Sequence, residues 1–432
     1  MMGRGKDGRR IRIWQRNRAH RAVHIMKSPH SSDVAPTAAM ALEQRYCAHN
    51  YHPLPVMLVR AQGVYAWDEQ GRRYLDMMSA YSAVSHGHSH PRLVRALTQQ
   101  AQKLAITSRA FYSDTLGPFL EYACNLTGMD VALPMNTGAE AVETVLKAAR
   151  KWSYERKGIA DGRAEIIACE GNFHGRTLGA VSLSTEQQYR AGFGPLLAGV
   201  RTIPYGDARA LEQTIGPNTA AFIVEPIQGE AGIRVPSAGY LARCAEICRA
   251  HRVLLIADEI QSGLGRTGKV LASEHEHVKP DAVLLGKSLG GGLLPVSVML
   301  ATRDVMDVFR PGDHGSTFGG NALAAAVGLE ALQTLIDERL CERSAELGAY
   351  FMAELQKIRS PAIREVRGRG LWIGIDIDPT VIHARKVAER LLARGILTKE
   401  THETVIRLAP PLIIEREQLD WCVEQVREAI ND

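Results

Sequence analysis

Through its middle, the chain alternates short unbroken apolar runs with longer segments whose apolar residues recur every three or four positions. The runs 165–168, 200–204, 221–225, 253–258, 282–286 and 296–301 predict strands, and 139–156 and 240–249 predict helices between them. Strands apolar on both faces and alternating with helices specify a mostly parallel sheet covered on both sides. In such sheets ligands gather at the carboxyl ends of the strands, so the residues that close the runs are the first functional candidates. Segment 63–76 (GVYAWDEQGRRYLD) alternates, turns at Asp68–Gly71 and alternates again, which predicts a hairpin. From Asn321 the pattern becomes helical. Past 340 it predicts a smaller α+β unit, with helix 340–357, strand 370–377, helix 382–394, strand 404–408 and helix 415–430. The expected fold class is α/β: a helix-covered, mostly parallel central sheet, with a smaller α+β domain built from both chain ends. The expected division is a leader at 1–36, an N-terminal segment with the hairpin at 37–95, a large domain at 96–339 and a C-terminal small domain at 340–432.

Composition narrows this picture. The 432 residues are 45% hydrophobic, too apolar for wholesale disorder. The apolar runs stop far short of the roughly 18 residues that a membrane-spanning helix needs, so no membrane partner is expected. The net charge of +5 is unevenly spread: residues 1–36 hold nine Lys/Arg against two Asp, leaving 43 basic and 45 acidic residues in the remainder. A nearly neutral body argues against nucleic acid as a partner. The leader is Arg-rich and acid-poor, as a transit peptide is, and has no apolar stretch of the secretory kind. Met26 and Met40 offer later starts. The expected location is the cytoplasm, or the mitochondrial matrix if the leader is a transit peptide. Seven scattered cysteines without a C-x-x-C pair support neither a disulfide framework nor a zinc ribbon, and no metal site is expected. Cys244 and Cys248, four apart on a helix, read as small buried apolar residues.

Three features carry chemistry. Asp258 closes the apolar run VLLIA, where a buried carboxylate needs a positive partner. A protonated pyridine nitrogen would serve. Lys287 follows AVLLG and precedes SLGGG, and desolvation at a strand end lowers a lysine's pKa and makes its amine nucleophilic. If the two residues close neighbouring strands, they form the acid-and-amine arrangement that pyridoxal phosphate requires. Asn136-Thr137-Gly138-Ala139 opens a helix with small residues that free backbone N–H groups for a phosphate. Phe173-His174-Gly175-Arg176-Thr177 follows another strand and could face a planar cofactor and an acidic substrate. One motif is a decoy. The glycine run at 263–268 resembles dinucleotide and phosphate loops, but Val270 stands where magnesium would need a hydroxyl, and DEIQS separates the run from its strand.

In combination and in order, NTGAEAVE, GNFHGRT, EPIQGEAG, ADEIQSGLGRTG, GKSLGGG and HGSTFGGN resemble the class III, fold type I aminotransferases that depend on pyridoxal 5'-phosphate. The resemblance runs from about residue 40 to the C-terminus. It implies that Lys287 is the lysine to which the cofactor is bound and which shuttles the proton, and that Asp258 pairs with the pyridine nitrogen. By the same resemblance Gln261 lies near the ring hydroxyl, Phe173 stacks on the ring, and Gly138 and Ala139 supply phosphate amides. Thr317, with Ser316, is similar to the phosphate ligand lent by a neighbouring subunit, which implies a homodimer. Ala322 departs from the proline that many relatives carry after FGGN.

AHNYHPLPV (48–56) and SAYSAV (79–84) resemble the ornithine-using branch of the family. That resemblance implies L-ornithine as donor and 2-oxoglutarate as acceptor, with Tyr51 and Tyr81 lining the pocket and Arg176 gripping the ornithine α-carboxylate through its planar fork. Glu230 and Arg407 then match a switching pair: Glu230 neutralises Arg407 while ornithine is bound and releases it to hold 2-oxoglutarate. Read from residue types alone, this pair is equally an ordinary salt bridge. The nearest rival donors are N-acetylornithine, 4-aminobutyrate and lysine. A nicotinamide oxidoreductase built on the glycine run is the rival from another class.

Overall fold

The computed structural model describes residues 37–432. The expected basic leader lies outside the described residues. By its contacts the chain divides into Met1–Met57 and Leu58–Asp432. In the first unit, helix Ala38–Tyr46 begins at Thr37, whose hydroxyl accepts from the Met40 N–H at 3.2 Å, and the helix buries none of its side chains.

The second unit opens with strands β1 (Leu58–Gln62), β2 (Tyr65–Asp68) and β3 (Arg73–Asp76). The last two are the two arms of the expected hairpin, and β1 adds a third antiparallel strand. Then come the seven strands of the large sheet: β4 (Val131–Met135), β5 (Glu165–Cys169), β6 (Val200–Ile203), β7 (Thr219–Val224), β8 (Leu254–Asp258), β9 (Ala282–Leu285) and β10 (Ser297–Ala301). Five short strands close the chain: β11 (Ile363–Gly368), β12 (Ile373–Ile377), β13 (Ile396–Leu397), β14 (Glu400–Thr401) and β15 (Val405–Leu408).

The large sheet runs β4-β10-β9-β8-β7-β5-β6. The pairs from β9 to β6 are parallel, while β10 is antiparallel to both neighbours. Alternation along the strands places Ile166, Ala221, Ile223, Ile256 and Leu284 with helix Gly138–Trp152 on one face. Ile167, Phe222, Val224 and Leu255 pack with helix Tyr240–Ala250 on the other. Burial on both faces is why these strands read as continuous apolar runs. Cys244 and Cys248 sit in that second cluster as free buried thiols, and all seven cysteines are free.

Two four-stranded sheets complete the unit, ordered β1-β2-β3-β13 and β11-β12-β15-β14. In the first, Leu75 pairs in parallel with Ile396, so the hairpin near the start shares a sheet with the far end of the chain. No helix among the described residues is long and apolar enough to cross a membrane.

Candidate active site

The strand ends converge as doubly covered parallel sheets require. The register pairs Asp258 with Leu284, so Lys287, three residues on, emerges at the same edge from the neighbouring strand. Glu225 follows the last residue of β7 at that edge. Lys287 has φ +44°, a left-handed backbone rare outside glycine, and it begins a tight 3-10 turn, Lys287–Gly290. Its amine is pushed below the ordinary lysine range by burial; the charges around it are Glu230, Arg407, Asp258 and Glu225.

Asp258 is 4% exposed, and its Oδ2 accepts from His174 Nδ1 at 2.6 Å while Oδ1 accepts from the Ile260 N–H at 3.1 Å. Burial pushes the His174 pKa down, yet the Asp258 carboxylate overrides it and the net shift is upward. Glu225 is equally enclosed. Its two oxygens accept from the Phe173 N–H at 2.9 Å and the Gly229 N–H at 3.4 Å. Burial, reinforced by Asp258 and opposed by His174, raises it to about 7. His174 and Glu225 were not singled out from the sequence as site residues. Glu225 closes a predicted strand, so the reasoning that selected Asp258 applies to it as well.

Around this floor lie the other candidates. Gln261 is buried, and its Nε2 donor meets no acceptor among the described residues. A side chain on Gly229 would fall on Gln261, so glycine is required there for this approach. Helix Gly138–Trp152 begins with a capping box between Thr137 and Glu140, which leaves Gly138 and Ala139 in its first turn. Phe173 and Tyr189 meet edge to face at 6.1 Å, and the Arg176 guanidinium stacks 3.5 Å above Tyr189 and 5.4 Å from Phe173. Ser316 accepts from Asn136 Nδ2 at 2.9 Å, which ties it to the start of the same helix, and Thr317 beside it is exposed.

Arg407, from β15, is 2% exposed and donates to Glu230 Oε1 at 2.9 Å and to the Gly229 carbonyl at 3.5 Å. Burial would raise Glu230, but Arg407 prevails and holds its carboxyl below the usual range. The Tyr81 ring lies 5.3 Å from the Arg407 guanidinium carbon. Tyr81 belongs to a run, Ser79–Ser82, in which every φ is positive at 48°, 45°, 60° and 75°. Left-handed backbone costs an L-residue roughly 1–2 kcal/mol, so this turn stores strain. Tyr51 lies in the first unit, in an irregular segment, and is 76% exposed.

The glycine run forms a tight turn packed against the interior. Leu264 and Gly265 pair with Val270 and Lys269 across a turn, and Arg266 is fully buried. It donates to the carbonyls of Leu371 and Pro410 and to Ser85 Oγ. Burial without a carboxylate in hydrogen-bond contact lowers its pKa to about 9. No cluster of three or more His, Cys, Asp or Glu among the described residues could hold a metal ion.

A phosphorylated pyridine fits these residues. The carboxylate suits a ring N–H, the orphaned Gln261 donor suits a ring oxygen, and the amine and helix start suit a carbonyl and a phosphate. Comparison with known proteins agrees. The model of the family "Aminotransferase class-III" matches residues 46–430. An ornithine aminotransferase of Bacillus subtilis is 57% identical over 387 residues, which span 90% of this chain and 96% of that protein. The crystal structure of the ornithine aminotransferase from Toxoplasma gondii superposes with a TM-score of 0.90 at 45% identity, covering 91% of this chain and 94% of that one. An acetylornithine aminotransferase from Elizabethkingia anophelis does so at 0.83 and 48%, covering 91% and 98%. With strand ends, fold and sequence in agreement, the chain belongs to the class III aminotransferases.

Proposed function

We propose that the chain moves the δ-amino group of L-ornithine to 2-oxoglutarate, yielding glutamate 5-semialdehyde and L-glutamate in two alternating half-reactions, with pyridoxal 5'-phosphate as cofactor. The observation that carries this reading is the pair of buried Arg407 and half-buried Glu230 beneath Tyr81. It leaves one neutral, closed position and one stacked but exposed cation, Arg176, beside Phe173. A diamine with one carboxylate needs one such cation, and a dicarboxylate needs two. A pair that opens serves both substrates in one pocket.

When bound, pyridoxal 5'-phosphate supplies a carbonyl that takes up an amino group and a ring that accepts an electron pair. Asp258 would hold the pyridine N–H, with its other side oriented by His174 behind it. Gln261 would donate to the ring oxygen. Phe173 would face the ring, and the Gly138 and Ala139 N–H groups would hold the phosphate. The Lys287 amine, with its lowered proton affinity, would be the base that takes up the substrate proton at Nζ and gives it back. Arg176 would grip the α-carboxylate of ornithine and so present the δ-amine, with Tyr81 walling the pocket.

Thr317 and Ser316 fit a phosphate contact made to a second copy, so the unit of function proposed is a homodimer. The surface supports it: Phe111 is 69% exposed, Tyr112 104% and Phe318 57%, and the Leu323 N–H donates to the Ala105 carbonyl, which brings the two segments together. A cytoplasmic location is proposed from the free cysteines.

The test uses protein loaded with cofactor, 2-oxoglutarate and either L-ornithine or N-acetyl-L-ornithine, with trapped pyrroline-5-carboxylate and glutamate as readouts. Pyrroline from ornithine, with little glutamate from the acetyl compound, is expected. Glutamate from the acetyl compound alone would replace the donor, a reading favoured by the likeness to the acetylornithine enzyme.

A further inference from the structure

The most strained backbone in the site is also the most heavily restrained. Ser79, Ala80, Tyr81 and Ser82 form a left-handed turn without a glycine, which persists only where its surroundings over-determine it. Asp76 Oδ1 accepts from the N–H groups of Met78 and Ser79 at 2.8 and 2.9 Å, and its Oδ2 meets His88 Nε2 at 2.8 Å. The fully buried Ser79 hydroxyl donates to the Ala409 carbonyl at 2.7 Å, and the Ala409 N–H donates to Met77 at 2.7 Å. At the far end Ser85 Oγ donates to the Ser82 carbonyl and accepts from Arg266, which also holds Pro410. Ala409 and Pro410 are the second and third residues after Arg407. The turn is therefore fastened to the segment that leaves the strand carrying Arg407, and what it carries is Tyr81.

We infer that Asp76 and Ser79 are positioning residues for substrate selection: by pinning the left-handed turn to Ala409 they keep Tyr81 over Arg407, and so keep Arg407 on Glu230. The inference rests on the reading that this pair opens for a dicarboxylate. Three groups restrain the guanidinium: the Glu230 carboxylate at 2.9 Å, the Tyr81 ring and, more weakly, the Gly229 carbonyl at 3.5 Å. A substrate carboxylate has to displace the first while the second holds the group in place. Without the pins the turn relaxes toward ordinary backbone and the ring leaves. Arg407 then keeps only its bonds to Glu230 and the Gly229 carbonyl, and a dicarboxylate or an α-amino acid competes for it more easily. Neither Asp76 nor Ser79 needs to touch substrate for this.

The test compares loaded Ser79→Ala and Asp76→Asn enzymes with the parent. Glutarate, a dicarboxylate that cannot turn over, is titrated by calorimetry. Single-turnover rates are measured with L-ornithine and with L-glutamate. Ser79→Ala is expected to bind glutarate at least fivefold tighter and to narrow the ornithine-to-glutamate ratio of kcat/KM at least tenfold, with the maximal ornithine rate within twofold. Asp76→Asn keeps one oxygen for the two amides and should fall between. Ala80→Gly relieves strain at an exposed position but removes no pin, so its glutarate affinity should stay within twofold while its Tm rises. Unchanged glutarate affinity in both pin variants, or loss of both donors by one factor, overturns the inference. Glu230→Ala separates the two readings. If it tightens glutarate and Ser79→Ala does not, the positioning role alone falls; if it does not tighten glutarate, the pair's switching role falls as well.

Discussion

Glu225 shows how one buried carboxyl writes a pH dependence into the molecule. Its pKa of about 7 stands above the ordinary value of 4.5, so the folded chain keeps a proton that the unfolded chain has lost across that interval. Where the native state binds more protons, stability falls as pH rises. Glu225 therefore costs nothing below about pH 4.5 and on the order of 3 kcal/mol above pH 7. Glu225→Gln, which cannot ionise, should lose stability at pH 5 through one weakened amide contact. It should gain on the parent at pH 8. Denaturant unfolding at the two pH values reads this, and a difference between the chains that does not change with pH would refute it. Lys287 gives a sharper outcome at the same scale. Its amine is the proposed acceptor of the substrate proton. Lys287→Ala should lower turnover at least a thousandfold while leaving the fold, read by circular dichroism, unchanged.

At the scale of elements, Gly348 sits inside helix Leu340–Leu355, where replacement by alanine ordinarily gains up to about 1 kcal/mol. Here the added methyl would fall on the backbone of Gly370. Backbone cannot swing aside as a side chain can, so the clash decides, and Gly348→Ala should lower the unfolding midpoint by several degrees. That contact pairs residues 22 apart and leaves no trace in periodicity. The large sheet, by contrast, was legible because its strands are buried on both faces and carry their apolar runs openly. β4 was not predicted, for it ends in Pro134 and Met135 and only its last two residues are buried. The orientation of β10 was hidden too, since a run such as SVMLA reads alike in both directions. In the site, Asp258 and Lys287 stood out because strand ends select them from the sequence alone. Arg407 and Glu230, 177 positions apart, were found only through resemblance. The left-handed turn at Ser79–Ser82 had no local signal, because none of its residues is the glycine that usually announces such backbone.

For the molecule as a whole, the aromatics Phe111, Tyr112 and Phe318 are each left exposed to water in a single copy. Phe111→Asp with Tyr112→Asp should shift light scattering from dimer to monomer. The monomer should also release its cofactor more readily, because the proposed contact of Thr317 with a second copy would be lost. A monomer that retains cofactor like the parent would separate the interface from the phosphate site. The pairing of β3 with β13 has a bearing on how the chain is made. Leu75 leaves the ribosome 321 residues before its partner Ile396 exists, an interval of roughly 16–64 s at ordinary synthesis rates. Through that time the hairpin presents a bare edge, with its buried Tyr74 and Leu75 lacking the cover they have in the finished fold. The newborn chain is thus a client for protection from its first hundred residues almost to its last.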